Sequence, residues 1–369
     1  MRILFYTPLN TRCRDIESQA AEFTKTGHEI FLLTQSAYHA LHENFKSYGY
    51  AVSAKPTSSR WTKGLILKRW FHLVVYCWRH RIDVMYAHLE PANFIAVLAQ
   101  YFIRTRVIIC RHHVDEARLY PFGKDLSYKL TYKLAREIIV VSARAKQYMV
   151  DEEHVPANRI HHINLSYNFD LYTLPDTYHV KNIREQFSAD VLLLSVCRLT
   201  QYKRPELAIE AVKKLRERGV DAKLIILGRG ELMDSLQNQI KKYKFEQHVI
   251  LAGYVNNVQD YLAATDFMIH PSLLESSCIS LKEAGLLNLP IIVCKDIGDF
   301  NEVVEHRQNG FIVNPDRFVE ESVSIISSHC KNKAELAKIG QSLHATVLTL
   351  FDITKAAPYY EKTFHQKRS

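Results

Sequence analysis

The chain has 369 residues, 47% hydrophobic and 24% charged, with 12 glycines and 11 prolines. That length suits two ordinary domains better than one, and the composition excludes disordered, collagen-like and low-complexity chains. The net charge of +9 is unevenly spread: residues 1–170 hold 23 Lys and Arg against 15 Asp and Glu, leaving +8, and the remainder holds 25 against 24.

The opening run Ile3–Tyr6 is followed at once by Thr7-Pro8, too short for the apolar core of a signal peptide. No apolar run reaches the roughly 18–20 residues of a membrane-spanning helix. Short apolar runs then recur at Glu29–Thr34, Asp83–His88, Arg106–Arg111, Glu137–Ser142 and Ile160–Asn164, with helical periodicity between them. They are rich in Ile and Val and do not alternate with polar residues, which predicts strands buried on both faces of a parallel sheet. The pattern lapses over the polar stretch 173–188. It restarts with Val191–Val196, Lys223–Leu227, His248–Gly253, Phe267–Ser272, Pro290–Cys294 and Gly310–Val313. The prediction is two doubly wound, Rossmann-like α/β domains, residues 1–172 and 189–345, joined by a linker at 173–188. Ligands of such sheets bind beyond the carboxyl ends of the strands, so the expected active site is a cleft between the domains. Seven cysteines, at 13, 77, 110, 197, 278, 294 and 330, form no C-x-x-C pair. An odd number so spaced argues against a disulfide framework or a cysteine zinc site, and for the reducing cytoplasm.

Two motifs follow strands of the second series. Cys197-Arg198-Leu199-Thr200-Gln201-Tyr202-Lys203-Arg204-Pro205 leads into a predicted helix with Pro205 in its first turn, so Arg198 and Lys203 flank a helix N-terminus. Two cations there suit a diphosphate. Glu275-Ser276-Ser277-Cys278-Ile279-Ser280-Leu281-Lys282-Glu283 puts two carboxylates eight apart around a serine-rich turn into a helix, with Ser277 as candidate N-cap. Carboxylates so placed can accept hydrogen bonds from sugar or ribose hydroxyls. Gly228-Arg229-Gly230 lacks the third glycine of a dinucleotide fingerprint.

In order and spacing, R-L-x-x-x-K, Gly228-Arg229-Gly230, Gly253-Tyr254, His270-Pro271-Ser272, E-x7-E, Gly298 with Glu302, and Asn309-Gly310-Phe311 resemble the donor domain of family 4 glycosyltransferases. Gly27-His28, His112-His113 and Val140-Val141-Ser142 resemble the same family's first domain more weakly, and 346–369 resembles its last helix, which returns to that domain. The resemblance implies the GT-B fold, two Rossmann-like domains facing across a cleft. It also implies transfer of a sugar, with retention, from a UDP- or GDP-linked donor to a glycan or lipid-linked acceptor in cell-surface polysaccharide biosynthesis. Carried over, Arg198 and Lys203 hold the diphosphate and Glu283 the ribose. Glu275 meets the sugar, beside the backbone of Ser277, Cys278, Ile279 and Ser280. The chain near Gly228 and Tyr254 meets the nucleotide, and His112 or His113 approaches the sugar from the first domain. The chain departs from the family at Cys197, at Ser276-Ser277-Cys278 and at Asp299, where glycines are usual. Two alternatives stay open: a nucleotide-sugar epimerase, and a non-catalytic sugar-nucleotide-binding subunit.

No cofactor or metal is expected. There is no D-x-D, and the adjacent pairs His112-His113 and His161-His162 lack ligand spacing. No nucleic-acid module is present either. The basic excess gathers in residues 45–82, where Lys46, Lys55, Arg60, Lys63, Lys68, Arg69, Arg79 and Arg81 meet no acidic residue and all three tryptophans fall. Residues 62–81 read as a helix with Ile66, Trp70, Val74 and Cys77 on its packed stripe. Trp61 and Trp78 among the cations suit an anionic membrane surface, at the inner face of the plasma membrane.

Overall fold

The computed structural model describes residues 1–55, 63–114 and 125–365. It holds two compact units, Met1–Phe169 with Phe351–Ser369, and Asp170–Leu350.

The first unit carries β1 (Arg2–Thr7), β2 (Glu29–Thr34), β3 (Ala51–Ala54), β4 (Val84–His88), β5 (Arg106–Arg111), β6 (Ile138–Val140) and β7 (Ile160–His162). They form one parallel sheet in the order β3-β2-β1-β4-β5-β6-β7. Alternate residues of β1 enter different cores, Leu4 and Tyr6 on one face, Ile3 and Phe5 on the other. That double burial is why the strand reads as an unbroken apolar run. The edge strand β3 is only partly buried, so its residues carry no such run and the sequence gives it no signal.

The second unit carries β8 (Val191–Val196), β9 (Ala222–Leu227), β10 (Val249–Gly253), β11 (Phe267–His270), β12 (Ile291–Cys294) and β13 (Phe311–Val313). Its parallel sheet runs β10-β9-β8-β11-β12-β13. Both sheets change winding direction once, between β1 and β4 in the first and between β8 and β11 in the second. At such a point the flanking connections lead away on opposite faces and open a crevice at the carboxyl edge.

Residues 173–188 differ from expectation. Thr177–Gln186 is a helix of the second unit, capped by Asp176, whose carboxylate accepts from the N–H of Tyr178 at 2.8 Å and His179 at 3.1 Å. Arg184 ties it down with two hydrogen bonds to Asp266, at 3.0 and 2.8 Å. Only Ile183 is buried on this helix, too little for an apolar period. The chain re-enters the first unit at Phe351, later than residue 346. The helix Ile353–His365 there buries Ile353, Ala356, Tyr360 and Phe364 in the core that holds Ile3 and Phe5.

Candidate active site

In the second unit the expected residues gather beyond β8 and β11. Pro205 opens the helix Pro205–Glu217 as expected. The residue before it, Arg204, has φ 50° and turns its guanidinium inward onto the carbonyls of Pro271 (2.8 Å) and Pro315 (3.0 Å). This residue, which sequence reasoning passed over, pins the Lys203 loop to the loop after β11. Lys203 is paired with Glu275, both largely shielded from solvent, and Glu275 Oε1 lies 2.6 Å from His270 Nε2. His270, which the sequence marks only through the motif His270-Pro271-Ser272, sits at the end of β11 and is buried.

Burial works against charge on both partners, and the partners overcome it. The His270 hydrogen bond and charge, with Lys203, bring the Glu275 carboxyl down to about 2. The adjoining Cys278 sulfur and Glu275 raise His270 to about 9. At neutral pH the centre thus sets His270 and Lys203 around one carboxylate, with the Cys278 sulfur 3.8 Å from the ring.

Beside it starts the helix Ile279–Leu286. Its N-cap is Cys278, not Ser277, and no side chain caps it. The Cys278 sulfur lies 3.8 Å from His270 Nε2, which places this helix N-terminus at the charged centre. Ser277 is engaged elsewhere: its hydroxyl donates to Asp299 Oδ2 at 3.1 Å and accepts from Lys282 at 2.8 Å, and the buried Lys282 is paired with Asp299. Cys278 N–H also reaches Asp299, at 3.3 Å. Two departures from the family pattern, Ser277 and Asp299, are therefore bonded to each other. Ile279 is exposed, Ser280 lies 3.3 Å from the Cys278 sulfur, and Glu283 is half-buried one turn into the helix.

The glycines follow from close approach. At Gly228 (φ 139°) a Cβ would lie 1.8 Å from the Cys197 carbonyl oxygen, so only glycine lets the two loops meet. At Gly298 (φ 54°) it would lie 2.7 Å from Glu275 Cβ. Arg198 is exposed and donates to Tyr202 at 2.9 Å. Tyr254 is exposed under the Arg229 guanidinium, 5.8 Å from its ring centre.

In the first unit the geometry separates the two adjacent histidines. Arg111, buried at the end of β5, donates to the His113 carbonyl at 2.8 Å and forms a two-pronged pair with Glu153 at 2.5 and 2.9 Å. That fixes the loop from which His112 reaches His88, at the end of β4, with Nε2 3.0 Å from His88 Nδ1. Asp15 completes the cluster. Burial, then the neighbouring His112, pushes His88 well below its ordinary value; burial lowers His112 too, with Asp15 working the other way. His88 Nε2 is buried without a hydrogen-bond partner. A bare nitrogen tolerates that better than an N–H, so His88 carries its proton on Nδ1 and donates it to His112. His112 is then left with an N–H at Nδ1. Neither His88 nor Asp15 has a spacing signal in the sequence. Asp115 and Glu116, beyond this loop, lie outside the described residues.

Ligand atoms of Asp15, His88 and His112 lie within 4.8 Å of one another, as do those of His270, Glu275 and Cys278. In the second group the Lys203 ammonium already occupies the carboxylate and would repel a metal ion.

Two parallel sheets wound this way, each with a polar centre at its switch point, are the two Rossmann-like units of the GT-B fold. Family models match nearly the whole chain: Glycosyltransferase Family 4 over residues 15–170 and Glycosyl transferases group 1 over residues 180–342. The chain belongs to this family. An uncharacterized glycosyltransferase of Methanocaldococcus jannaschii is 29% identical over 239 residues, 62% of this chain and 59% of that protein. The chain thus spans less than two thirds of that relative's length. The UDP-Gal:alpha-D-GlcNAc-diphosphoundecaprenol alpha-1,3-galactosyltransferase of Escherichia coli is 24% identical over 281 residues, 69% of this chain and 71% of that protein. The crystal structure of Anabaena HepE in complex with UDP shares the fold, with TM-score 0.82 and 18% identity over 98% of this chain and 99% of HepE.

Proposed function

We propose that the protein transfers a sugar, with retention, from a UDP- or GDP-linked donor to a glycan or lipid-linked acceptor in cell-surface polysaccharide biosynthesis. The observation that carries this reading is the gathering of Lys203 and His270 on Glu275, set beside an uncapped helix N-terminus at the carboxyl edge of β8 and β11. Such a centre suits a diphosphate and stabilises the charge that grows on it as the glycosidic bond breaks. Arg198 adds an exposed cation, Glu283 accepts from ribose hydroxyls, and His112 offers its N–H to a sugar hydroxyl. The UDP complex of HepE and the UDP-galactose donor named for the E. coli relative support a uridine nucleotide. With protein cations and helix N–H groups facing the diphosphate, transfer needs no divalent ion.

The same reading places the protein at the inner face of the plasma membrane. Helix Lys63–His80 buries Val74 and Cys77, packs Ile66 and Trp70 beside them, and exposes Leu67, Phe71, Val75 and Trp78 along one stripe. At 100° per residue Lys68 and Arg79 flank that stripe, the arrangement of a helix lying on anionic lipid. Arg60, Trp61 and the side chain of Lys63 lie outside the described residues. No helix among the described residues is long and apolar enough to cross a membrane.

The test is calorimetry with UDP and GDP sugars, followed by nucleotide release with and without added acceptor in EDTA. Binding that Lys203→Ala weakens about tenfold or more, with release that depends on acceptor and survives chelation, is expected. Binding without acceptor-dependent release would leave a donor-binding subunit, and epimerised donor would make it an epimerase.

A further inference from the structure

Three neighbouring strands of the first sheet bring to one point residues that the sequence scatters. Asp15 stands in the first turn of the helix Arg14–Lys25 that follows β1, His88 ends β4, and His112 follows β5. Strands β1, β4 and β5 are adjacent in the sheet, so their carboxyl ends converge. One ligand atom from each of the three side chains lies within 4.8 Å of the others, with Asp15 and His88 buried and His112 half-buried.

Asp15 supplies a second, independent observation. It is 6% exposed, and its Oδ1 accepts from the Cys13 thiol, a weak donor, at 2.8 Å. Among the described residues no Lys or Arg forms an ion pair with it; Arg12 answers Glu17 instead, at 3.7 Å. The helix N-terminus offsets only part of a full charge. A shielded carboxylate ordinarily finds a cation or a metal ion, and beside Asp15 stand two imidazoles.

The spacing of those imidazoles suits an ion. His88 Nδ1 and His112 Nε2 are 3.0 Å apart. Two ligands each about 2.0–2.1 Å from a tetrahedral ion lie roughly 3.3 Å from one another, so the rings already stand at nearly the required separation. Two imidazoles and a carboxylate form a donor set for zinc, whereas magnesium and calcium prefer oxygen alone. Lys203 blocks the carboxylate of the comparable group in the second unit, and among the described residues no lysine does so here.

We infer that Asp15, His88 and His112 form a binding site for a divalent ion of zinc's kind, with a fourth position open to water or a hydroxyl. The ion takes the place of the proton that His88 Nδ1 shares with His112 Nε2. That proton passes to His88 Nε2, which is buried without a partner, so the affinity is on the order of micromolar rather than that of a closed structural site. The N–H of His112 stays on Nδ1, available to a substrate as before. Binding is thus compatible with sugar transfer without being required for it, and it stands whether or not sugar is moved.

The test strips the full chain with a chelator, removes the chelator, and titrates cobalt(II) and zinc by absorption spectroscopy and calorimetry. One equivalent of cobalt should give the visible bands of a nitrogen- and oxygen-ligated ion without the ultraviolet band of a thiolate ligand, and zinc should displace it. Affinity should fall about tenfold or more in Asp15→Asn and further in His88→Phe. Near-ultraviolet circular dichroism should be unchanged in both variants, which shows that they fold. Zinc should raise the melting temperature of the wild type and not of the variants. A thiolate band would move the ion to a cysteine and overturn the site. So would the lack of binding up to about a millimolar, or binding that ignores both variants.

Discussion

Each unit sets a histidine at the carboxyl edge of its sheet, His112 just past β5 and His270 at the end of β11, and the two are driven in opposite directions. Both lose hydration, which disfavours the imidazolium. His270 faces the Cys278 sulfur at 3.8 Å and a carboxylate at 2.6 Å, and these raise it to about 9. His112 faces another imidazole at 3.0 Å, and the more distant Asp15 does not make up for burial, so it falls. Shielding alone therefore does not decide the charge of a buried histidine; the groups its ring faces do. One centre is a fixed cation suited to phosphate, the other a neutral donor suited to hydroxyl groups.

The strongest way to break this contrast is to remove the carboxylate. Glu275→Ala leaves Lys203 and His270 facing each other, and breaking a buried pair this way costs about 3–5 kcal/mol. Urea unfolding of the purified variant measures it, and a loss below about 1 kcal/mol would show that solvent already screens the centre. By the same logic Arg111→Leu, which strands Glu153 in the first unit, should fall in the same range without changing UDP affinity.

Titration gives the next largest effect. The folded protein holds the His270 proton more tightly than the unfolded chain does. Its contribution, on the order of 3 kcal/mol, is complete below about 6.5 and lost as pH rises through about 9. Glu275 behaves oppositely, contributing above about 4.5 and failing as pH falls towards about 2. Stability should therefore be greatest between these limbs, and His270→Gln should flatten the alkaline one. An alkaline limb that persists unchanged in that variant would assign it to other groups.

The smallest effect sharpens the neutral centre. His88→Phe deprives His112 of the N–H that fixes its tautomer. Turnover should drop about tenfold with donor affinity unchanged, while His88→Gln, which keeps a donor, restores part of it. Nitrogen-15 spectra provide the independent readout: His112 should carry its proton on Nδ1 in the wild type and lose that preference in the phenylalanine variant. Equal loss of turnover and melting temperature in both variants would make His88 merely structural.

Of the thirteen strands among the described residues only β3 gives no apolar run. Most of the others are buried on both faces, and a run such as Leu192–Leu194 has no polar face to hide it, while the edge strands β7 and β10 are legible although only partly buried. The exceptions have one cause. Strand β3 and helix Thr177–Gln186 bury little, and a sequence signal is a record of burial. For the site, Arg198, Lys203, Glu275 and Glu283 stand at fixed spacings after strands and are legible. His88, Asp15, Arg204 and Lys282 are not, since the groups they work with lie far along the chain: His112 is 24 positions from His88, Pro315 is 111 from Arg204 and Asp299 is 17 from Lys282, while Asp15 joins both histidines. Ser277 shows the limit of local rules: a serine one residue before a helix turn reads as a cap, but the distant Asp299 takes its hydroxyl.

The helix Ile353–His365 has a consequence for how the protein is made. Its Phe364 packs edge-on against Phe23 at 5.3 Å and near Tyr86 at 5.8 Å, closing with Tyr360 an aromatic core whose other rings, Phe5, Phe23, Phe45 and Tyr86, all precede residue 111. The whole of Asp170–Leu350 must be synthesised between them. At about 5–20 residues per second that interval lasts roughly ten to forty seconds. Through it the nascent first unit presents Phe23 and Tyr86 uncovered, while the second unit, contiguous in the chain, can close its own core first.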